Sequence, residues 1–570
     1  MRTERKSSMK KIFNSRALAL ILVLAMAVSL LTISASATTI SKVSIAEGEP
    51  VAIDWTQAGT TYTGTIVNSA TLSSTVYSMP SSFTLWTEGE ATFEAGTGIT
   101  VTAIGTSADE TNYSYKVDVS GIASGSTATL VVTISSGTYT VALPSATPIS
   151  VGGTKPTSVL SYAPLGQFAR GNGWGSIYSN YANVAGSTAS DALVKFATGT
   201  GYESTGVSLG AFGGYIDFYF QGGITNDAKN PYGVDFVIYG NAFNANPEAG
   251  AVQVSEDGIT WYELAGSMYY DGNFNYTGEA GASRISNAYT GTLRNATISY
   301  SQDSVIKATV KDASGATKIN AAQFVASTAW WPTVLKGYPA IAAHINSNAT
   351  STSNVQVTCN DTVFSSTGVT LIPDSNTTAD YAFGYADVTP NGSPASYGDA
   401  VNPYTPYTSS KTGGDGFDLE WAVDITTGLP VDVTDMTFRY VRVYSAVLDN
   451  GMFGETSTEV CGIFTTANKA TASVGTTAAP TTVTVGGTAV TLSKTASGIQ
   501  PVTIPKNTAT DVVVTGGSNS HIYINNTYGA GTATNSFTLA RNATQIVRVI
   551  VQDNSTAQPY VGYVMLKGGK

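Results

Sequence analysis

The chain has 570 residues, enough at roughly 150 per domain for three or four independent cores. Hydrophobic residues make up 42%, near a globular share, but charged residues only 12%, about half of what is usual, with 58 glycines and abundant Ser, Thr and Ala in their place. That balance excludes a coiled coil, a disordered acidic chain, a basic nucleic-acid binder and a polytopic membrane protein, and it leaves a weakly charged, strand-forming, extracellular protein.

Residues 1–37 open with Arg2, Arg5, Lys6, Lys10, Lys11 and Arg16, continue with the apolar run 17–31 and close on Ala35-Ser36-Ala37. This is the three-part pattern of a secretory signal peptide, with cleavage expected after Ala37; the apolar run is short for a membrane span. The expected location is extracellular or at the cell surface, with no membrane span after cleavage. Removing six basic residues and one Glu moves the net charge from −11 to near −16. Such a surface repels nucleic acid and suits calcium. The two cysteines, Cys359 and Cys461, are expected to form one disulfide, which closing about 100 residues would make worth up to roughly 4–5 kcal/mol. Two buried thiols are the alternative.

Residues 38–150 show short alternating runs broken by Gly, Ser, Asp and Asn, the clearest being the hairpin Ala128 to Leu143 around Ser135-Ser136-Gly137. They predict an immunoglobulin-like β-sandwich. Residues 157–468 predict a larger β domain. In it Ile216, Phe218 and Phe220 share one strand face, Asp235 to Tyr239 reads as buried on both faces, and Val252 to Tyr262 reads as a hairpin around Asp257-Gly258. An elaboration near 280–410, containing Ala321 to Val325 and Trp330-Trp331-Pro332, is expected to carry one short helix. Residues 469–484 form a Thr/Ala/Pro linker, and 485–570 predict a third sandwich ending in the strands Ile546 to Val551 and Tyr560 to Val564.

Several segments stand in order along the central region: Gly166-Gln167-Phe168 with Gly173-Trp174-Gly175, Ser208 to Gly214, Gly233 to Phe243 (GVDFVIYGNAF), Ser255 to Gly258, Phe383 to Asp387, Asp415 to Asp424 (DGFDLEWAVD) and Gly454 to Ser457. As a set they resemble a group of largely uncharacterised secreted bacterial cell-surface proteins. The resemblance implies a central jelly-roll-like β-sandwich in which residues 415–465 pair with strands from 205–265. The tail resembles, more weakly, a cadherin-like β-sandwich. The expected fold class is therefore all-β and multi-domain, and neither resemblance brings an activity.

Two histidines in different predicted domains, His344 and His521, leave no base for a serine or cysteine nucleophile and no zinc site, and no phosphate-binding loop is present. Glycoside cleavage needs only two carboxylates. The candidates are Asp418 and Asp424, in a cluster with Asp415 and Glu420 around Trp421. The competing reading puts Asp418 and Glu420 on one strand face, Trp421 in the core and Asp424 in a turn.

Calcium takes six to eight oxygens gathered from strand ends. Asp235, Asn241 and Glu248 follow one strand, and the resemblance brings Glu455 near them; these four are the expected ligands, with Asp227 and Glu459 in reserve. The ion would fix a binding loop; turn capping by Asn241 and Glu248 is the alternative. Aromatic rings that could stack on sugars are Trp174, Tyr178, Tyr181, Tyr269, Tyr270, Phe274 and Tyr276, set among Gly, Asn and Asp. The leading expectation is a non-catalytic protein binding a polysaccharide or cell-surface protein through its central sandwich, with flanking spacers. A glycan-active hydrolase or lyase and a purely structural envelope protein are the alternatives.

Overall fold

The computed structural model describes residues 43–45, 51–68, 82–106, 112–123, 126–144, 155–156, 158–163, 207–210, 212–272, 274–276, 285–303, 305–325, 362–365, 368–373, 377–392, 397–451 and 454–570. About half of the structure is strand, and the described residues contain no α-helix, only three-residue 3₁₀ turns.

The central domain is built on the strand Tyr215–Ile224. Its alternation places Ile216, Phe218 and Phe220 in the core, yet Asp217 and Tyr219 on the other face are also buried. Arg442 sits opposite Asp217 in the neighbouring strand Phe438–Ser445 and donates to both carboxylate oxygens at 2.7 and 2.9 Å, so the buried charge is matched across the ladder. The antiparallel sheet runs from Ser158–Ala163 through Tyr215–Ile224, Phe438–Ser445, Gly250–Ser255 and Trp261–Leu264 to Ala422–Asp424. A second layer, Asp415–Phe417, Phe236–Tyr239 and Gly462–Thr465, shares its core. Val207–Gly210 pairs with Thr458–Val460. Strands from 207–264 thus pair with 415–465, as expected.

Phe236–Tyr239 is buried throughout because its alternate residues face two clusters: Phe236 and Ile238 enter the main core, while Val237 and Tyr239 join Cys461 and Phe464 in a smaller one. The 257–258 hairpin forms with a longer loop than an Asp-Gly pair requires. Asp257 Oδ1 accepts from Ile259 N and Thr260 N at 2.8 and 2.7 Å, and Gly258 supplies the positive φ of 75°. The expected short helix is not among the described residues of 280–410. Ala321 to Val325 belong to the strand Thr317–Val325, bent where Ala321 takes φ 49°; Trp330 to Pro332 lie outside the described residues.

Both flanking domains place a four-stranded sheet on a five-stranded one around a separate apolar core. The C-terminal domain packs directly on the central one. Tyr523, Ile550, Val561 and Tyr563 belong to the central core cluster, and residues 469–484 lie along both domains through Val474 N to Ala228 O and Thr477 N to Gln558 O, 2.9 and 2.8 Å. At this seam Arg548, 1% exposed, donates to the main-chain oxygens of Ala265 and Gly266, the latter at 2.7 Å, and lies over the rings of Tyr270 and Phe383. Gly266 admits no Cβ, which would lie 2.4 Å from the Tyr385 ring. Among the described residues no helix is long and apolar enough to cross a membrane.

Candidate functional site

Three carboxylates from distant parts of the chain meet at one edge of the central sandwich. Oxygens of Glu248, Asp387 and Glu459 lie within 4.8 Å of one another. Asp387 and Glu459 are buried and Glu248 is half-buried. Asp387 organises the group. Its backbone is left-handed, φ 60°, a conformation Asp tolerates. Its Oδ1 accepts from Asn241 N and Ala242 N at 2.7 and 2.8 Å, its Oδ2 from Glu459 N at 2.8 Å, and its main-chain oxygen from Glu248 N at 2.9 Å. A Cβ on residue 240 would sit 2.0 Å from Oδ1, so Gly240 is what lets the carboxylate reach the loop. Both stems of the 241–247 loop are thereby tied to one residue.

Burial first, and neighbouring carboxylates second, push Asp387 and Glu459 well above the usual carboxylate range; burial raises Glu248 to about 7. A side-chain hydrogen bond joins Glu459 to Glu248, and Ser457 Oγ donates to Glu459 Oε1 at 2.7 Å. Without a cation the cluster keeps protons; a hard divalent ion would replace them. Three carboxylates with lone pairs to spare fit such an ion, water completing its shell.

The expected ligands divide. Glu248 and reserve Glu459 belong to this cluster. Asn241 contributes its main-chain N–H to Asp387. Glu455 lies on the two-residue strand Gly454–Glu455, and its side chain is outside the described part. Asp235 is elsewhere: its Oδ1 accepts from Asn230 Nδ2 at 2.7 Å and Asp227 N at 3.2 Å, its Oδ2 from Leu419 N at 2.9 Å, and burial raises it to about 7. It pins the 419–421 turn. Asp227 pairs with Lys469 Nζ at 3.0 Å. Asp387 was missing from the expected set; it lay in the Phe383 to Asp387 motif, but only its left-handed backbone makes it a hub, and that is invisible in the sequence.

Each member of the candidate catalytic pair serves a turn. Asp418 is fully buried, caps the 3₁₀ turn Leu419–Trp421 by accepting from Glu420 N at 2.8 Å, and contacts Tyr404 Oη at 3.2 Å. It therefore shares no strand face with Glu420. Trp421 is core, as expected, and Asp424 Oδ1 accepts from Thr427 N and Oγ1 at 2.7 and 2.8 Å in the expected turn.

Of the expected ligand-binding rings, Trp174, Tyr178 and Tyr181 lie outside the described residues. Tyr269 and Tyr270 are 4% and 3% exposed, so neither presents a face to a sugar. Tyr269 packs under Arg294 and Tyr270 donates to Gly428 O at 2.9 Å while facing the seam. The loop context suggested exposure; Arg294 covers Tyr269 and the C-terminal domain covers Tyr270. Tyr276 is exposed and packs on Tyr289. Cys461 is buried, and Cys359 and His344 lie outside the described residues.

A second exposed ring was not in the expected set. Phe243, 63% exposed, stands at the tip of the 241–247 loop with Asn244, Ala245 and Asn246. The tip is braced by Asn246 N to Phe243 O at 3.0 Å and by the Tyr407 hydroxyl, which meets Ala245 N at 3.2 Å and Asn244 Oδ1. The sequence offered Phe243 only as the last letter of a strand motif. In comparisons with known proteins, no family model matches the chain, and no curated protein matches it.

Proposed function

We propose that the chain is a secreted or cell-surface, non-catalytic protein that binds a glycan polymer through the 241–247 loop of its central sandwich, with calcium at Glu248, Asp387 and Glu459 fixing the loop's stems. The observation that carries this reading is Phe243: a large apolar ring held out to solvent on a loop whose two stems and tip are all hydrogen-bonded in place. A rigid exposed ring loses little entropy on stacking against a sugar face, and the flanking Asn244 and Asn246 amides can read hydroxyl groups. Gly233 to Phe243, one of the segments that as a set resemble bacterial surface proteins, ends on this ring.

Incubating the mature chain with insoluble plant, fungal and bacterial polysaccharides should deplete it from solution on at least one of them. Phe243→Ala should weaken that depletion by about tenfold, the loss of a stacking contact worth roughly 1 to 1.5 kcal/mol, with the melting temperature unchanged because the ring is exposed. Depletion undiminished in Phe243→Ala would remove the loop from the binding surface.

A further inference from the structure

The 241–247 loop does not stand alone. The Tyr407 hydroxyl, which accepts from Ala245 N at 3.2 Å and donates to Asn244 Oδ1, ties it to a second loop, residues 402–411. That loop is closed from within: Lys411 Nζ donates to Pro403 O and Thr405 O at 3.2 and 2.9 Å, and Lys411 N to Thr408 O at 2.9 Å. Its base is fixed by Tyr404, fully buried, whose hydroxyl meets Asp418 Oδ2 and Trp421 Nε1 at 3.2 Å each. The two tips, Phe243 to Asn246 and Thr408 to Ser410, are exposed and joined through Tyr407.

None of these exposed residues carries a charge. The flanking charged side chains are Glu248, Asp399 and Lys411, each half-buried, and the one cation among them turns its amine to main-chain oxygens of its own loop. Main-chain donors offer no substitute for a cation. Asn241 N and Ala242 N go to Asp387, Ala245 N to Tyr407 and Asn246 N to Phe243 O. What the tips hold out is neutral and both donates and accepts: the Asn246 amide, Asn244 Nδ2 and the Ser409 hydroxyl have no hydrogen-bond partner among the described residues.

We infer that the two loops form one binding surface for an uncharged polysaccharide, with Phe243 stacking on a sugar ring and the Asn244, Asn246 and Ser409 side chains meeting sugar hydroxyls. This rests on the glycan-binding reading above and adds the class of polymer. A sugar hydroxyl both donates and accepts, so neutral amides and hydroxyls suit it. A uronate or sulfate instead calls for a cation or free N–H groups, and the net charge of −11 repels a polyanion as a whole. An amino sugar is drawn by that field, but the tips give its ammonium no carboxylate to pair with.

The test is depletion of the mature chain, in calcium, by neutral polymers (cellulose, mannan and curdlan), acidic gels (calcium alginate and calcium polygalacturonate) and cationic chitosan. Depletion on at least one neutral polymer should be about tenfold stronger than on either acidic gel, and should change less than about twofold as salt rises to about 0.5 M, since no ion pair is there to be screened. Ser409→Ala should weaken that depletion about threefold with the melting temperature unchanged. An acidic gel as the stronger partner, with that binding lost in Phe243→Ala, overturns the inference and leaves the 241–247 loop as the site. Retention on chitosan that survives the salt also overturns it. Neutral binding undiminished in Ser409→Ala does so too, because the surface is then one loop and not two. Failure of every polymer removes this inference and the glycan-binding reading together.

Discussion

Replacing Arg548 by alanine is expected to uncouple the C-terminal domain from the central one. Arg548 is a buried cation whose charge is met by two main-chain oxygens, Ala265 and Gly266, and two aromatic faces, Tyr270 and Phe383. Truncation takes the donor from Ala265 O, leaves Gly266 O with only Tyr269 N at 3.1 Å, and opens a void between packed rings. Such losses cost about 3–5 kcal/mol together. For domains of this size that is about 10 °C of melting temperature. Calorimetry should show the C-terminal domain melting separately and earlier, and limited proteolysis should find new cleavage within 469–484. Arg548→Lys should be intermediate, since an ammonium cannot span two carbonyls as a guanidinium fork does. Melting of Arg548→Ala as a single unchanged transition would mean that apolar contact alone holds the seam.

The central domain should lose stability as pH rises, and calcium should restore it. Burial raises Asp235, Glu248 and Asp415 to about 7 and Glu263 to about 8, and lifts Asp387, Asp418 and Glu459 further. A carboxyl whose folded pKa exceeds its unfolded one holds a proton that the unfolded chain releases. Its full stability is present below the unfolded value and falls away as pH climbs to the folded one. For Glu263, 1% exposed and held by Gln253 Nε2 and Tyr444 Oη at 2.9 and 2.8 Å, the loss between pH 5 and 8 is about 3 kcal/mol. In chelator, denaturant midpoints should therefore drop over that window, and Glu263→Gln should flatten the slope. Calcium at the proposed site would compete with protons on Glu248, Asp387 and Glu459, so it should stabilise strongly at pH 8 and little at pH 5. Glu459→Gln should abolish that response. A calcium effect equal at both pH values, or one that survives Glu459→Gln, would place the ion elsewhere.

The parts of the molecule governed by short-range pattern were legible in the sequence. Alternation gave the strands around Ile216 and Ile550, turn chemistry gave the Ser135 to Gly137 hairpin and the Asp424 turn, and the all-β class followed from composition. What escaped depends on partners hundreds of residues away. Tyr269 and Tyr270 sit among Gly and Asp as exposed rings would, but Tyr269 is covered by Arg294 of the same domain and Tyr270 faces Arg548 and Tyr563 of a domain that begins two hundred residues later. Asp235 and Glu248 are thirteen positions apart, yet they serve two different acid clusters because one precedes the strand Phe236–Tyr239 and the other follows the loop at its far end. Asp418 looked like a strand residue until Asp235 Oδ2 captured Leu419 N and coiled the chain into a 3₁₀ turn. Asp387 and Phe243 needed the backbone itself, a left-handed φ in one case and a pinned loop in the other.

The seam around Arg548 also sets how the protein carries load. With residues 469–484 laid along both domains, no slack hinge separates the central sandwich from the last one. A pull on the final strand reaches the central domain through interlocked rings and a guanidinium fork before it reaches the covalent connection. The pair should behave as one stiff strut, holding the Phe243 loop at a constant reach and angle from the C-terminal strand instead of letting it swing on a tether.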